Sequence, residues 1–401
     1  METAPHLDGE AMPAENVGAL IVGGDYQGLG IVRSLGAHGI PICIVDDERS
    51  ISAYSRFVRH SCFYSGLRDQ ERVVEAVLET GRRLNLKGWV LYPTRDETVA
   101  AFSHHRKELA AFFRVPTPDW SSVKWAWDKR NLHEMVSKLG LPTPKTWNPQ
   151  SVEDLDQVDV DPPYAVKPAI KEHFFYKTKA KAWRANSRQE LKELFLLASE
   201  KGAPGEVLIQ EFIPGSSTQQ FAYCAFWKNR QALGSMVVRR RRQHPHEFGR
   251  ASTFVETLDL PELEAASEKF LRAIDYYGLV EVEFKLDPRD STYKLHDVNL
   301  RTWGYHSLGR AAGVDFPAML FADQIGKPVE VCRARPGHKW IRLVTDTPSS
   351  LLDIFKGRLN TGDYLRSLSG PVTEAVFSWG DPLPGLAEIA LIPYLYYKRG
   401  F

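Results

Sequence analysis

The first third of the chain alternates short apolar runs with stretches of helical periodicity. Ala19-Leu20-Ile21-Val22, Pro41-Ile42-Cys43-Ile44-Val45 and Trp89-Val90-Leu91-Tyr92-Pro93 have the length and apolar content of buried strands. A glycine-bearing loop at 23–28 follows the first run, and residues 31–38 then read as a helix. Residues 69–86 place Val73, Val74, Val77 and Leu78 on one helical face. Strands alternating with helices predict a parallel sheet with crossover helices.

The middle third has a different texture. A helix is predicted from an Asp128 N-cap to Leu139, stopped by Gly140-Leu141-Pro142. Short strands then dominate, at 164–167, 207–212, 221–227, 231–242, 280–286 and 293–299, with helices at 188–201 and 261–277. Asp287-Pro288-Arg289-Asp290 is a turn signal, so the last two strands read as a hairpin. The expected class is therefore α/β followed by α+β. The divisions are a leader at 1–17, an N-terminal parallel-sheet domain at 18–125, a second domain at 126–328 and a small C-terminal extension at 329–401. In the extension only 340–344 is a clear strand, and the apolar run 392–397 is expected to lie against the body or a subunit partner.

Composition narrows the classes. The 401 residues are 43% hydrophobic and 25% charged, which fits a folded globular chain. Fifty-one Lys+Arg against 50 Asp+Glu leave a net charge of +1, which speaks against a protein built mainly to bind nucleic acid. Cys43, Cys62, Cys224 and Cys332 lie far apart, so neither a disulfide scaffold nor a cysteine zinc site is expected. Residues 1–16 have no apolar core to serve as a signal peptide, and 386–397 is too short to span a bilayer. A cytoplasmic protein is expected, with its oligomeric state left open.

Four segments carry candidate chemistry. Gly24, Gly28 and Gly30 follow the first strand, and Asp46 comes about 20 residues later, as in dinucleotide sites. The spacing is not the usual fingerprint, and a tight turn also explains it. In the 280–299 hairpin, alternation puts Glu281 and Glu283 on one face, and Asp297, Asn299 and Arg301 on one face of the partner strand. Glu283, Asp297 and Asn299 offer hard oxygen atoms suited to magnesium, with Arg301 beside them for an anion; an exposed charged strand face fits the same pattern. Lys129 opens a helix and Lys167 ends a strand, each either merely exposed or placed for phosphate. Val207 to Gly215 is an apolar strand running into a turn, either a plain turn or a hinge for a purine edge.

The order of these elements resembles the ATP-grasp superfamily, in particular the carboxylate–amine ligases related to carbamoyl-phosphate synthetase and D-aspartate ligase. Asp297-Val298-Asn299-Leu300-Arg301 is similar to that family's E-x-N-P-R, and Tyr164-Ala165-Val166-Lys167-Pro168 to its P-x-V-x-K-P element. The resemblance spans about 19–328 and implies an ATP-grasp fold behind an N-terminal parallel-sheet domain. It implies that Lys129 and Lys167 contact nucleotide phosphates, that Gln210, Glu211 and Ile213 form the adenine hinge, and that Gln219 or Gln220 meets the ribose. Glu283, Asp297 and Asn299 would hold magnesium or manganese, and Arg301, with Lys167, would act in catalysis. The implied reaction joins a small-molecule carboxylic acid to an amine through an acyl phosphate, releasing ADP and phosphate. A bicarbonate-using ligase and a nucleotide-binding protein without turnover are the alternatives. Three features depart from the family: segment 169–182 carries Lys171, Lys177, Lys179 and Lys181 but no glycine, reading as a mobile lid; Asp297 stands where the family has Glu, a ligand shorter by one methylene; and Gln at 219 or 220 replaces the ribose-binding Glu. For the substrate, Arg239, Arg241 and Arg250 are expected to receive a carboxylate. Thr94, Arg95 and Asp96 are candidates because ligands bind at the carboxyl ends of parallel strands.

Overall fold

The computed structural model describes residues 17–178, 180–202, 205–244 and 251–399. Its first sheet is β1 (Ala19–Val22), β2 (Ile42–Asp46), β3 (Val58–Phe63) and β4 (Val90–Pro93), parallel throughout in the order β3-β2-β1-β4. β1, β2 and β4 are wholly buried, so their runs are continuously apolar. β3 is an edge strand with alternating exposure, which is why its mixed sequence, Val-Arg-His-Ser-Cys-Phe, gave no apolar run to read.

The first helix is Tyr26–Gly36, beginning five residues before the expected start. Gly28 and Gly30 therefore lie inside it rather than in a phosphate loop. A Cβ on Gly28 would stand 2.3 Å from the Gly23 carbonyl oxygen, and one on Gly30 would stand 2.6 Å from the His306 ring. These glycines allow close packing. Asp46 is likewise taken: it accepts from the Gly24 amide at 2.7 Å and pairs with Arg95.

A second sheet holds β5 (Thr146–Trp147), β6 (Tyr164–Pro168), β7 (Trp183–Ala185) and β8 (Val207–Glu211), in the order β5-β8-β6-β7. The third and largest sheet is eight-stranded. It contains β9 (Gln220–Lys228), β10 (Gln231–His244), β11 (Ala251–Leu258), β12 (Gly278–Asp287) and β13 (Thr292–Asn299). It also takes in β14 (Cys332–Arg333), β15 (Lys339–Ile341) and β16 (Val372–Glu374), which continue it beyond β11 or pair with β10. Strands from 329–401 are thus part of this sheet and not a separate appendage. One core cluster runs from Ile21 and Leu29 of the N-terminal unit through Cys224 and Met236 to Trp340 and Leu391. The opposite face of the sheet packs Tyr223, Ala225 and Val237 against the helices Trp120–Trp127, Lys129–Lys138 and Pro261–Ala273.

Two other stretches differ from expectation. Segment 169–182 contains a helix, Lys171–Thr178, rather than a featureless lid. The last helix is Leu383–Arg399; in the run 392–397 Tyr394 packs on the core and Ile392 and Pro393 face outward, while the side chains of 395–397 lie outside the described residues. Residues 1–16 of the expected leader lie outside the described residues.

Candidate active site

The cleft is built on the β12–β13 hairpin. Its register sets Glu281 opposite Asn299 and Glu283 opposite Asp297. Asn299 donates its amide to Glu281 at 2.8 Å and to Glu283 at 2.9 Å, and its carbonyl oxygen accepts from Arg301 at 3.1 Å. The Tyr305 hydroxyl bonds Glu281. Burial, with Glu283 alongside, pushes the Glu281 carboxyl up to about 7.

Cations close over this acidic floor from four directions. Lys129 is the first residue of a helix capped by Asp128, whose carboxylate accepts from the Arg130 amide at 2.9 Å; its ammonium pairs with Asp297. Arg240, from β10, donates to Glu283 at 3.1 Å and to Gln220 at 2.5 Å. Arg301 grips Asp96 with two nitrogens, at 2.6 and 3.1 Å, and Lys171 reaches the same carboxylate at 2.6 Å. Burial alone would raise the Asp96 carboxyl, but Arg301 and Lys171 outweigh it and hold it well below the carboxylate range. Lys167 is buried near the end of β6 and donates to Gln210 at 2.7 Å. Burial and the charge of Lys129 push its ammonium down to about 7.

The cleft has two lobes. The hinge lobe is lined by Lys167, Gln210, Phe212, Ile213, Lys285 and His296. The other is lined by Asp96, Glu172, Glu281, Asn299, Arg301 and Tyr305. Lys129, Lys171, Lys181, Arg240, Glu283 and Asp297 face both. In the hinge lobe, Gln210 donates its amide to Thr146 at 2.8 Å and meets His133 at 3.0 Å, which fixes the acceptor of Lys167. The Glu211 carboxylate is held by Arg289 and Lys294, and the Ile213 carbonyl accepts from Lys285 at 2.7 Å. Gln220 lines this lobe. Gln219 instead lays its amide oxygen 1.2 Å from where a Gly215 Cβ would be, and Gly215 has φ +104°, so only glycine fits there.

The structure thus gathers Lys129, Lys167, Gln210, Glu211, Ile213, Gln220, Glu283, Asp297, Asn299 and Arg301 along one cleft. It does not bring every expected residue there. Arg239 donates to the Thr218 carbonyl and lies over Phe221, and Arg241 pairs with Glu256; the strand turns both away, and Arg240 enters the cleft instead. Thr94 donates to the Val22 carbonyl at 2.9 Å and Arg95 pairs with Asp46 and Asp47, so of that trio only Asp96 reaches the cleft. Arg250 lies outside the described residues. Sequence reasoning passed over Arg240, Glu172, Glu281 and Tyr305 as site residues. Alternation already put Glu281 with Glu283; the others needed the register of β10 and the packing of the segment after β13.

Among the described residues no group of three or more His, Cys, Asp or Glu is gathered to hold a metal ion. The hairpin set includes an amide, and its oxygen donors are hard ones that suit magnesium. Glu283, Asp297 and Asn299 fit that ion by donor chemistry, with Lys129 and Arg240 now neutralising the two carboxylates.

No family model matches the chain. A D-aspartate ligase from Enterococcus faecium is 24% identical over 301 residues, covering 70% of each chain. Among solved structures, an L-amino acid ligase from Bacillus licheniformis superposes with a TM-score of 0.62 at 15% identity, over 81% of this chain and 78% of that one. The biotin carboxylase domain of a Hydrogenobacter thermophilus 2-oxoglutarate carboxylase, solved with MgADP and bicarbonate, gives 0.64 at 14% identity, over 80% and 73%. The architecture is the ATP-grasp fold, as the resemblance implied.

Proposed function

We propose that this ATP-grasp chain is an ATP-dependent carboxylate–amine ligase that passes through an acyl phosphate and releases ADP and phosphate. One observation carries the reading: the hinge lobe and the acidic lobe share a single floor of four cations and two carboxylates. A nucleotide seated with its base against Phe212 and Ile213 would direct its phosphates over that floor, toward whatever occupies the second lobe. Lys129, Lys167 and Arg240 would bind the phosphates, and Arg301, held by Asp96, would face the acceptor carboxylate as phosphoryl charge moves onto it. Magnesium, when bound by Glu283, Asp297 and Asn299, would supply charge neutralisation of the transferred group. Attack by the amine on the acyl carbon then expels phosphate and leaves the amide. Likeness to proteins named D-aspartate ligase and L-amino acid ligase supports an amino acid as the first substrate class to test.

The test is ADP and phosphate release from MgATP with pooled amino acids and small carboxylic acids, each pool then withheld in turn, and with bicarbonate separately. Release that requires an acid pool and an amine pool supports the ligase. Release with bicarbonate alone would replace it by a carboxylase-type reaction. ATP binding without release under any condition would favour a binding protein.

A further inference from the structure

Among the described residues, five carboxylates line the acidic lobe of the cleft: Asp96, Glu172, Glu281, Glu283 and Asp297. Asp96 accepts from Arg301 and Lys171, and Asp297 accepts from Lys129. Glu281 accepts from Tyr305 and Asn299, and Glu283 from Arg240 and Asn299. Glu172 differs from these. Its side chain is only 11% exposed, yet its ion-pair partner Lys171 stands 3.6 Å away, beyond hydrogen-bonding distance. That ammonium donates to Asp96 at 2.6 Å instead, and the donor that reaches the Glu172 carboxylate is its own backbone amide. Burial pushes this carboxyl above its ordinary value against the pull of Lys171, and the charges of Asp96 and Glu97 add to the rise. A shielded carboxylate short of donors is costly, so its place in a cleft wall points to a ligand that brings N–H groups of its own. An acid in the first turn of a helix also complements the helix end, but that role needs neither burial nor a place in the cleft.

We propose that Glu172 receives the ammonium of the amine substrate and takes one proton from it before the acyl carbon is attacked. The inference rests on the ligase reading above and adds the amine class that reading leaves open: one that arrives as a cation, such as an α-ammonium. The position suits the step. Glu172 adjoins Lys171, whose ammonium meets the same Asp96 carboxylate that grips Arg301, the group facing the activated acid. It lines the acidic lobe and not the hinge lobe, where the nucleotide base would sit. An ammonium has no lone pair with which to attack. Transfer of one proton to Glu172 frees the pair, and the nitrogen bonds to the acyl carbon. The bond from that carbon to the phosphate oxygen breaks with its electrons on oxygen, and the second N–H proton leaves with the phosphate. The neutral Glu172 carboxyl then returns its proton to water.

The experiment separates the two half-reactions. Hydroxylamine is largely uncharged at neutral pH and traps an acyl phosphate as a hydroxamate without a base. With MgATP, pooled amino acids and small carboxylic acids, and excess hydroxylamine, Glu172→Gln should form hydroxamate within about twofold of the wild-type rate. Without hydroxylamine, its amide formation from the same pools, read by mass spectrometry, should fall about 100-fold or more. Should Glu172→Gln melt early, Glu172→Asp keeps the charge one methylene back and should show the same split, about tenfold in amide and about twofold or less in hydroxamate. Equal losses in the two assays, or no loss in either, overturn the proposal. So does hydroxamate without amide in the wild-type chain, since no cationic amine is then used. Absence of hydroxamate from the wild-type chain with every acid overturns the ligase reading itself, and the proposal falls with it.

Discussion

Lys167 shows how one burial sets a measurable pH response. Its ammonium is held at about 7 in the folded chain against an ordinary value of 10.5. Below pH 7 both folded and unfolded chains carry the proton; between about 7 and 10.5 only the unfolded chain does, so this group makes stability rise with pH across that window. Phosphate beside Lys167 favours the charged form, so nucleotide binding at pH 8 should take up a proton. Calorimetry in buffers of different ionisation enthalpy reads this directly, and Lys167→Met should reduce the uptake, leaving the share of Lys181, whose ammonium burial holds at about 8. Asn299 gives a second prediction. Asn299→Ala removes the amide that bridges Glu281 and Glu283 and one prospective metal oxygen, so metal-dependent turnover should fall by about 100-fold or more while the melting curve still shows one folded transition. Unchanged turnover would remove Asn299 from the metal set. Asn299 and the carboxylates facing it were readable from sequence because a short turn fixes the hairpin register and strand alternation does the rest, whereas Lys167, on β6, was reached only through the family resemblance. Glu172 and Tyr305 were not, because no periodicity ties the segments that carry them to the hairpin.

β10 carries four successive arginines, and its phase in the sheet decides their roles. Met236 and Val238 share the core cluster of Cys224, so Arg240 follows them onto the cleft face, while Arg239 and Arg241 follow Val237 to the other. The strand alone has no mark that tells odd from even; its pairing of Arg240 with Gln220, in line with Lys285, supplies it. Arg240→Ala should therefore lower turnover at least about tenfold, since it leaves the buried Glu283 carboxylate without its guanidinium. Arg241→Ala loses only a partly exposed pair and should stay within about twofold. Steady-state rates of the two variants side by side check the phase. The helix Lys171–Thr178 makes the same point for a segment with no apolar periodicity to read: Lys171 at its start is anchored by Asp96, a residue 75 positions earlier, and Asp96 also anchors Arg301.

Over the whole molecule, the sequence made the N-terminal parallel sheet plain and hid how the last seventy residues join. Their strands are two or three residues long, too short to carry a pattern, yet β15 pairs with β11 and Trp340 sits fully buried in the core shared with Ile21. A chain ending at Pro328 should consequently be insoluble, with a bare β11 edge and an opened core, as a sedimentation assay after expression would read. Replacing Glu388 by Ala takes from buried Arg342 its hydrogen-bonded carboxylate and leaves it Asp25 at 3.9 Å and the Tyr26 ring, so it should cost about 1–3 kcal/mol, visible as a lowered melting temperature. The floor common to both lobes of the cleft has a pharmacological consequence. A single compound carrying an adenine at one end and a tetrahedral phosphorus mimic with an amino-acid tail at the other would engage both lobes together. Its second end would bind at an effective concentration of roughly millimolar without further loss of freedom, so it should inhibit far more strongly than either half alone.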